Sequence, residues 1–177
     1  MLDFFKIALN LKKIPRQGWI DKLNMDNPES VADHSYSMAL MSMVISDIEN
    51  YDSEKILKMV LLHDLAESKT GDYTPGQIDR DKKKRLEQNA FLEIIKKLPQ
   101  PIKSYYLKIW QEYEENISAE SKFVHQIDKL EMALQAKDYE KKGYPKEKME
   151  SFFESSKKEI MDPKLKKLFT QISEDNQ

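Results

Sequence analysis

The segment Ile56-Leu57-Lys58-Met59-Val60-Leu61-Leu62-His63-Asp64-Leu65-Ala66-Glu67 is apolar on nearly every side at helical spacing. A helix that is hydrophobic all round belongs at the centre of a fold, so other helices must be built around it. The rest of the chain meets that requirement. Its punctuation falls at Pro15/Gly18, Asn27-Pro28, Gly71 to Gly76, Pro99/Pro101, Gly143/Pro145 and Pro163. Between these marks apolar residues recur at helical spacing, and alternating strand-like runs are absent. The spacing predicts helices over about 2–13, 30–49, 53–68, 79–97, 100–115, 118–142, 146–159 and 163–173. Ser30 to Asp33 resembles a capping box with Asp in place of Glu, and Ser53 is the expected N-cap of the central helix. The fold class is therefore all-α, an irregular multi-helix bundle. With no repeat, low-complexity tract or long linker, residues 1–177 are expected to form one domain.

Composition removes several kinds of chemistry. The chain has no cysteine, which excludes thiolate metal sites, disulfides and thiol nucleophiles and fits a reducing, cytoplasmic setting. Only 4 glycines occur, in neither a dinucleotide fingerprint nor a phosphate loop. Anything phosphorylated must then be held by a metal, basic side chains or helix N-termini. A net charge of −2 gives no bulk attraction to nucleic-acid polymers or an anionic membrane. The N-terminal run carries Asp3 and Lys6 and reads as an amphipathic helix, neither signal peptide nor membrane span.

The central helix carries a conflict. An unpaired buried carboxylate is very costly, so such groups are paired, protonated or metal-bound. His63 and Glu67 are four residues apart and share a face, and Asp64 and Glu67 are three apart. In isolation, His63-Asp64 is most simply a satisfied core histidine with acids on the solvent flank. Two further residues favour a metal. His34 lies just after the capping box, between Asp33 and Ser35, and Asp128 sits at the edge of the apolar stripe Phe123, Ile127, Leu130, Leu134. Two neutral imidazoles with two carboxylates, His34, His63, Asp64 and Asp128, would neutralise a divalent cation. Nitrogen with oxygen and no sulfur suits Mn, Fe, Co, Ni, Zn or Mg.

Four segments, IPRQGW (14–19), PESVADHSYSMALMSMVI (28–45), LLHDLAESKTGD (61–72) and SAESKFVHQIDKLEMALQA (118–136), resemble the HD-domain superfamily of metal-dependent phosphohydrolases. Within it the chain is similar to the 5′-deoxynucleotidase branch. The resemblance implies a metal on His34, His63, Asp64 and Asp128 inside an HD-domain bundle, and functional acids at Glu67 and Asp72. It also implies a possible second metal at Glu67, Asp72 and the following residue, here Tyr73, where the family often has an aliphatic. The bacterial members place an Arg directly before Trp. Here Gln17-Gly18 separates Arg16 from Trp19. The family is usually dimeric and takes deoxyribonucleoside 5′-monophosphates.

In that reading the metal activates a water and polarises a phosphoryl oxygen. Glu67 is expected on the water and Asp72, out on its loop, near the leaving oxygen. Arg16 is either a phosphate clamp or a surface arginine before a turn. Trp19 is either a wall over the sugar or a core aromatic. The run Lys82-Lys83-Lys84-Arg85 reads as a solvated face, since Asp79, Asp81 and Glu87 interleave it, and His125 is expected to point away from the site. Two alternatives stand beside this one: an HD phosphohydrolase for triphosphates or cyclic nucleotides, and a non-catalytic metal- or nucleotide-binding module.

Overall fold

Helices make up nearly all the regular backbone of the computed structural model, which describes residues 1–175. The last two residues of the expected 1–177 domain lie outside the described residues. In chain order the helices are α1 (Leu2–Leu9), a 3-10 turn (Asn10–Lys13), α2 (Gln17–Leu23), α3 (Val31–Glu49), α4 (Ser53–His63), α5 (Glu67–Thr70), α6 (Arg80–Ile95), α7 (Gln100–Glu115), α8 (Ala119–Lys141), α9 (Lys146–Glu159) and α10 (Pro163–Glu174). Among the described residues there is no sheet, only two isolated bridges, Pro15 with Ser30 and Pro75 with Ile78. The bundle is all-α, as the spacing required.

Where a helix carries its own cap, its start falls where the sequence puts it. Ser30 accepts from the Asp33 amide at 3.2 Å while Asp33 accepts from the Ser30 amide at 2.9 Å, a complete capping box for α3. Ser118 caps α8 by accepting from the Ser121 amide at 3.0 Å. The cap of α4 is Asp52 rather than Ser53. Its carboxylate accepts from the Lys55 amide at 3.0 Å, and a negative group suits the positive end of a helix.

Two departures matter for the site. The turn expected around Pro15 and Gly18 contains a helix, α2. Seven residues are too few to be stable alone, and the acceptor at its start comes from elsewhere: Asp72 Oδ2 takes the Gln17 amide at 2.9 Å. The central helix also stops at His63 instead of running to Ser68. The His63 ring, through Nδ1, bonds the Val60 carbonyl at 2.6 Å. That carbonyl is the acceptor the Asp64 amide would need to continue the helix. The chain then tightens, with Glu67 N bonding Asp64 O at 3.0 Å and Ser68 N bonding Leu65 O at 3.2 Å, before α5 begins.

Helices α3, α4, α6, α7 and α8 contribute to one core that includes Met38, Ile56, Met59, Val60, Ile94 and Ile127. Here α4 is less enclosed than its sequence suggests, because Leu61 is 57% exposed. Phe91 from α6 is fully buried and stacks on Trp110 of α7, ring centroids 4.4 Å apart and planes 12° from parallel. Phe91→Ala is expected to cost about 3–5 kcal/mol, read as a lower midpoint in urea unfolding. A second cluster of Trp19, Leu23, Met25, Ala136, Tyr139 and Met149 ties α2 and α9 to the end of α8.

Candidate metal centre

Backbone pairing brings the parts together. Arg16 N bonds Glu29 O at 3.0 Å and Val31 N bonds Ile14 O at 2.9 Å, which lays the segment before α2 along the start of α3. His34 lies in the first turns of α3, His63 ends α4, Asp64 occupies the turn after it, and Asp128 lies midway along α8.

These four residues converge. His34 Nε2 is 3.3 Å from Asp128 Oδ1 and 3.9 Å from Asp64 Oδ2, and His63 Nε2 is 3.0 Å from Asp64 Oδ2. Donor atoms of His34, His63 and Asp128 all lie within 4.8 Å of one another. Both rings are buried and both are anchored through Nδ1, His34 on Glu131 Oε2 at 2.6 Å and His63 on the Val60 carbonyl. A carbonyl can only accept, so the neutral His63 ring carries its proton on Nδ1 and a lone pair on Nε2. Each Nε2 atom is within reach of a carboxylate oxygen, yet neither is aligned with it as a hydrogen bond. Two bare ring nitrogens aimed at two carboxylates form a donor set that fits a divalent cation.

The electrostatics agree with that fit. Burial and the Arg16 charge oppose protonation of His34, but Asp128 and Glu131 outweigh them and push its pKa up to about 9. The field that attracts a proton there attracts any cation. Burial opposes ionisation of Asp64, yet the His63 ring and the Arg16 guanidinium hold its carboxyl well below the usual range. Asp128 is likewise held low against burial by Lys129 and His34. Glu67 goes the other way. It is 3% exposed, and burial together with the charges of Asp64 and Asp72 raises its pKa well above the ordinary value, against Arg16 and Lys83. Carboxyls driven apart within one site are the usual sign of divided labour, some binding charge and another moving a proton.

The other expected residues are placed less simply. Arg16 reaches the site: its NH1 is 3.4 Å from Asp64 Oδ2 and 4.0 Å from Asp72 Oδ2. Asp72 does not point outward from its loop. Its side chain is 10% exposed and one oxygen is committed to the start of α2. Trp19 is 2% exposed, with its ring against Tyr139 and Phe152 and its indole N–H donating to Glu29 Oε1 at 2.8 Å. Of the two roles open to it, this packing is that of a core aromatic. The Tyr73 carbonyl, expected as a possible ligand of a second ion, accepts from Lys83 Nζ at 2.9 Å.

Lys83 itself departs from the solvated face expected for its basic run, since its ammonium turns inward to within 3.8 Å of Glu67 Oε1. Its one sequence signal is Glu87, four residues on and 3.5 Å away. Glu131 went unsuspected. It lies three residues after Asp128, beside Leu130 of the apolar stripe, and that spacing is the signal for it. His125 stays outside the site, its Nε2 3.0 Å from the Tyr113 carbonyl and its ring stacked on Tyr113.

A helical bundle that gathers H, HD and D side chains from three separate segments defines a class, and the chain belongs to it: the HD domain family matches residues 8–168. Among its relatives is human 5′-deoxynucleotidase HDDC2, 36% identical over 173 residues, 97% of this chain and 84% of that protein. The HDDC2 of Dictyostelium discoideum is 40% identical over 185 residues, covering 98% of this chain and 97% of the relative. The crystal structure of PH0347 protein from Pyrococcus horikoshii superposes with a TM-score of 0.75 at 33% identity, covering 97% of this chain and 95% of that one.

Proposed function

We propose that this chain is a metal-dependent 5′-deoxynucleotidase, releasing phosphate from 2′-deoxyribonucleoside 5′-monophosphates. The observation that carries the reading is the pair of buried Nε2 atoms of His34 and His63 facing Asp64 and Asp128 without an aligned hydrogen bond. The relatives named 5′-deoxynucleotidase support the substrate class. His34, His63, Asp64 and Asp128 would hold one divalent ion, drawn from Mn, Co, Ni, Zn, Fe and Mg. When bound, such an ion acidifies a water and draws charge from a phosphoryl oxygen.

The chain's own residues do the rest. Arg16 is charged and stands beside Asp64 and Asp72, where a guanidinium can pair with two phosphate oxygens. Glu67 moves the proton. As water oxygen bonds to phosphorus and the bond to the 5′-oxygen breaks, a proton leaves the water and one arrives on the 5′-oxygen. A buried carboxyl with raised proton affinity suits both transfers. Asp72 acts through Arg16, holding the amide that follows it and thereby the start of α2. Lys83 keeps a positive charge beside Glu67 and the Tyr73 carbonyl, which favours one metal over two.

Phosphate release from deoxy- and ribonucleoside mono-, di- and triphosphates and cyclic nucleotides, with each metal added in turn, tests the reading. Turnover of deoxynucleoside monophosphates is the expected result. Inert monophosphates with turnover of triphosphates or cyclic nucleotides would transfer the site to the rival phosphohydrolases. Metal uptake with no turnover of any nucleotide would make it a binding module.

We also propose a cytoplasmic homodimer. The cysteine-free composition fits the reducing compartment, and among the described residues no helix is long and apolar enough to cross a membrane. On α3, Tyr36, Leu40, Met43, Val44 and Ile48 recur at helical spacing and are between 40% and 71% exposed. An apolar stripe of that kind, interrupted only by Asp47, suits a self-complementary two-fold contact. Light scattering should give twice the chain mass, and Leu40→Glu should give the monomer.

A further inference from the structure

We propose that Glu131 is the positioning residue of the metal centre, fixing the orientation and tautomer of His34; this rests on the metal reading above. The contact is short and sealed. Glu131 Oε2 lies 2.6 Å from His34 Nδ1, His34 is 0% exposed and Glu131 2%. An ionised carboxylate only accepts, so the shared proton belongs to Nδ1 and the lone pair of the neutral ring is left on Nε2. Nε2 is the atom that faces Asp128 and Asp64. Without that anchor the ring is free to turn about its broad second torsion and present the wrong nitrogen.

The sequence makes the arrangement economical. Asp128 and Glu131 stand three apart on α8 and so share a face. One helix supplies both a ligand to the ion and the brace for a second ligand arriving from α3. A partner of this kind on the far nitrogen of a metal-bound histidine fixes the ring and raises its basicity.

Glu29 presents the obvious competitor. Its carboxylate, His34 and Glu131 have donor atoms within 4.8 Å of one another, which reads as a second metal cluster. Two facts count against an ion there. A nitrogen and an oxygen bound to one ion stand farther apart than the 2.6 Å found, since each bond is itself about 2.0–2.2 Å and the two are splayed. One oxygen of Glu29 is also already committed to the Trp19 indole N–H. Glu29 thus fastens Trp19, and Glu131 serves His34.

Calorimetric titration of the metal-free protein with Mn2+ tests this, with nitrogen-15 imidazole spectra of the Zn2+-loaded protein as a second readout. Glu131→Ala is expected to weaken Mn2+ binding about 10–100-fold. Glu131→Gln, whose amide oxygen still accepts from Nδ1, is expected to recover most of that loss. In the loaded wild type, His34 is expected to keep a proton on Nδ1. A general packing defect would lower the unfolding midpoint without producing this rescue or this proton signature. Glu131→Ala binding Mn2+ as tightly as wild type would overturn the proposal. So would a loaded wild type with no proton on His34 Nδ1, a result that stands even if Glu131→Ala fails to fold. Wild-type protein that takes up no Mn2+ would instead overturn the metal reading, and the brace with it.

Discussion

Glu67→Gln is expected to lower turnover of deoxynucleoside monophosphates by about 10²–10⁴-fold, the usual worth of one proton-transfer group, while leaving metal affinity unchanged. The substitution is chosen because the amide matches the protonated acid in size. Glu67 is buried at 3% exposure, its Oε2 has no hydrogen-bond partner, and its proton affinity is raised by burial and by Asp64 and Asp72. Removing an ionisable group from such a place does not threaten the fold, so the urea midpoint should not fall. Steady-state kinetics beside calorimetric Mn2+ titration separates the outcomes. If Glu67 merely fills space, the variant must turn over like wild type.

The second large effect is expected from Asp128→Asn. The side chain keeps its shape and loses its charge, and with it half of the negative charge supplied by Asp64 and Asp128. Mn2+ affinity should fall further than for Glu131→Ala, beyond the roughly 10–100-fold typical of an outer-shell partner. Phosphate release should vanish at limiting metal and return in part when metal is in excess. Because Asp128 is the carboxylate 3.3 Å from His34 Nε2, the pull it exerts on a proton there also weakens. Unchanged affinity by calorimetry would remove Asp128 from the ligand set.

Much of this was legible in the sequence because the helices that matter carry their own signals. Ser30 with Asp33, and Ser118, start α3 and α8 by local hydrogen bonds that neighbouring residues reveal. The start of α2 was not legible, since its acceptor, Asp72, lies 55 residues away. Nor was the break after His63, which depends on a ring nitrogen taking the Val60 carbonyl, an event of side-chain geometry rather than propensity. The break has a consequence for the site, because Asp64 and Glu67 are aimed by a tight turn instead of by the face of one continuous helix.

The same distinction applies to the site residues. His34, His63, Asp64 and Asp128 stand out as polar groups in or beside apolar stretches, and the structure brings them together. Glu131 does not stand out, because a glutamate on a charged helix reads as solvent-facing until its partner on another helix is known. Lys83 was hidden among three other basic residues, and only tertiary packing selects which of the four turns toward Glu67. Trp19 was open between two roles. Its burial against Tyr139 and Phe152 and its bond to Glu29 favour the core.

Anomalous diffraction from crystals of this protein grown with Mn2+ tests the four-residue metal centre most directly. The expected result is a peak bonded by His34 Nε2, His63 Nε2 and the carboxylates of Asp64 and Asp128. A manganese peak elsewhere, or none while those four side chains keep the positions described, would contradict it.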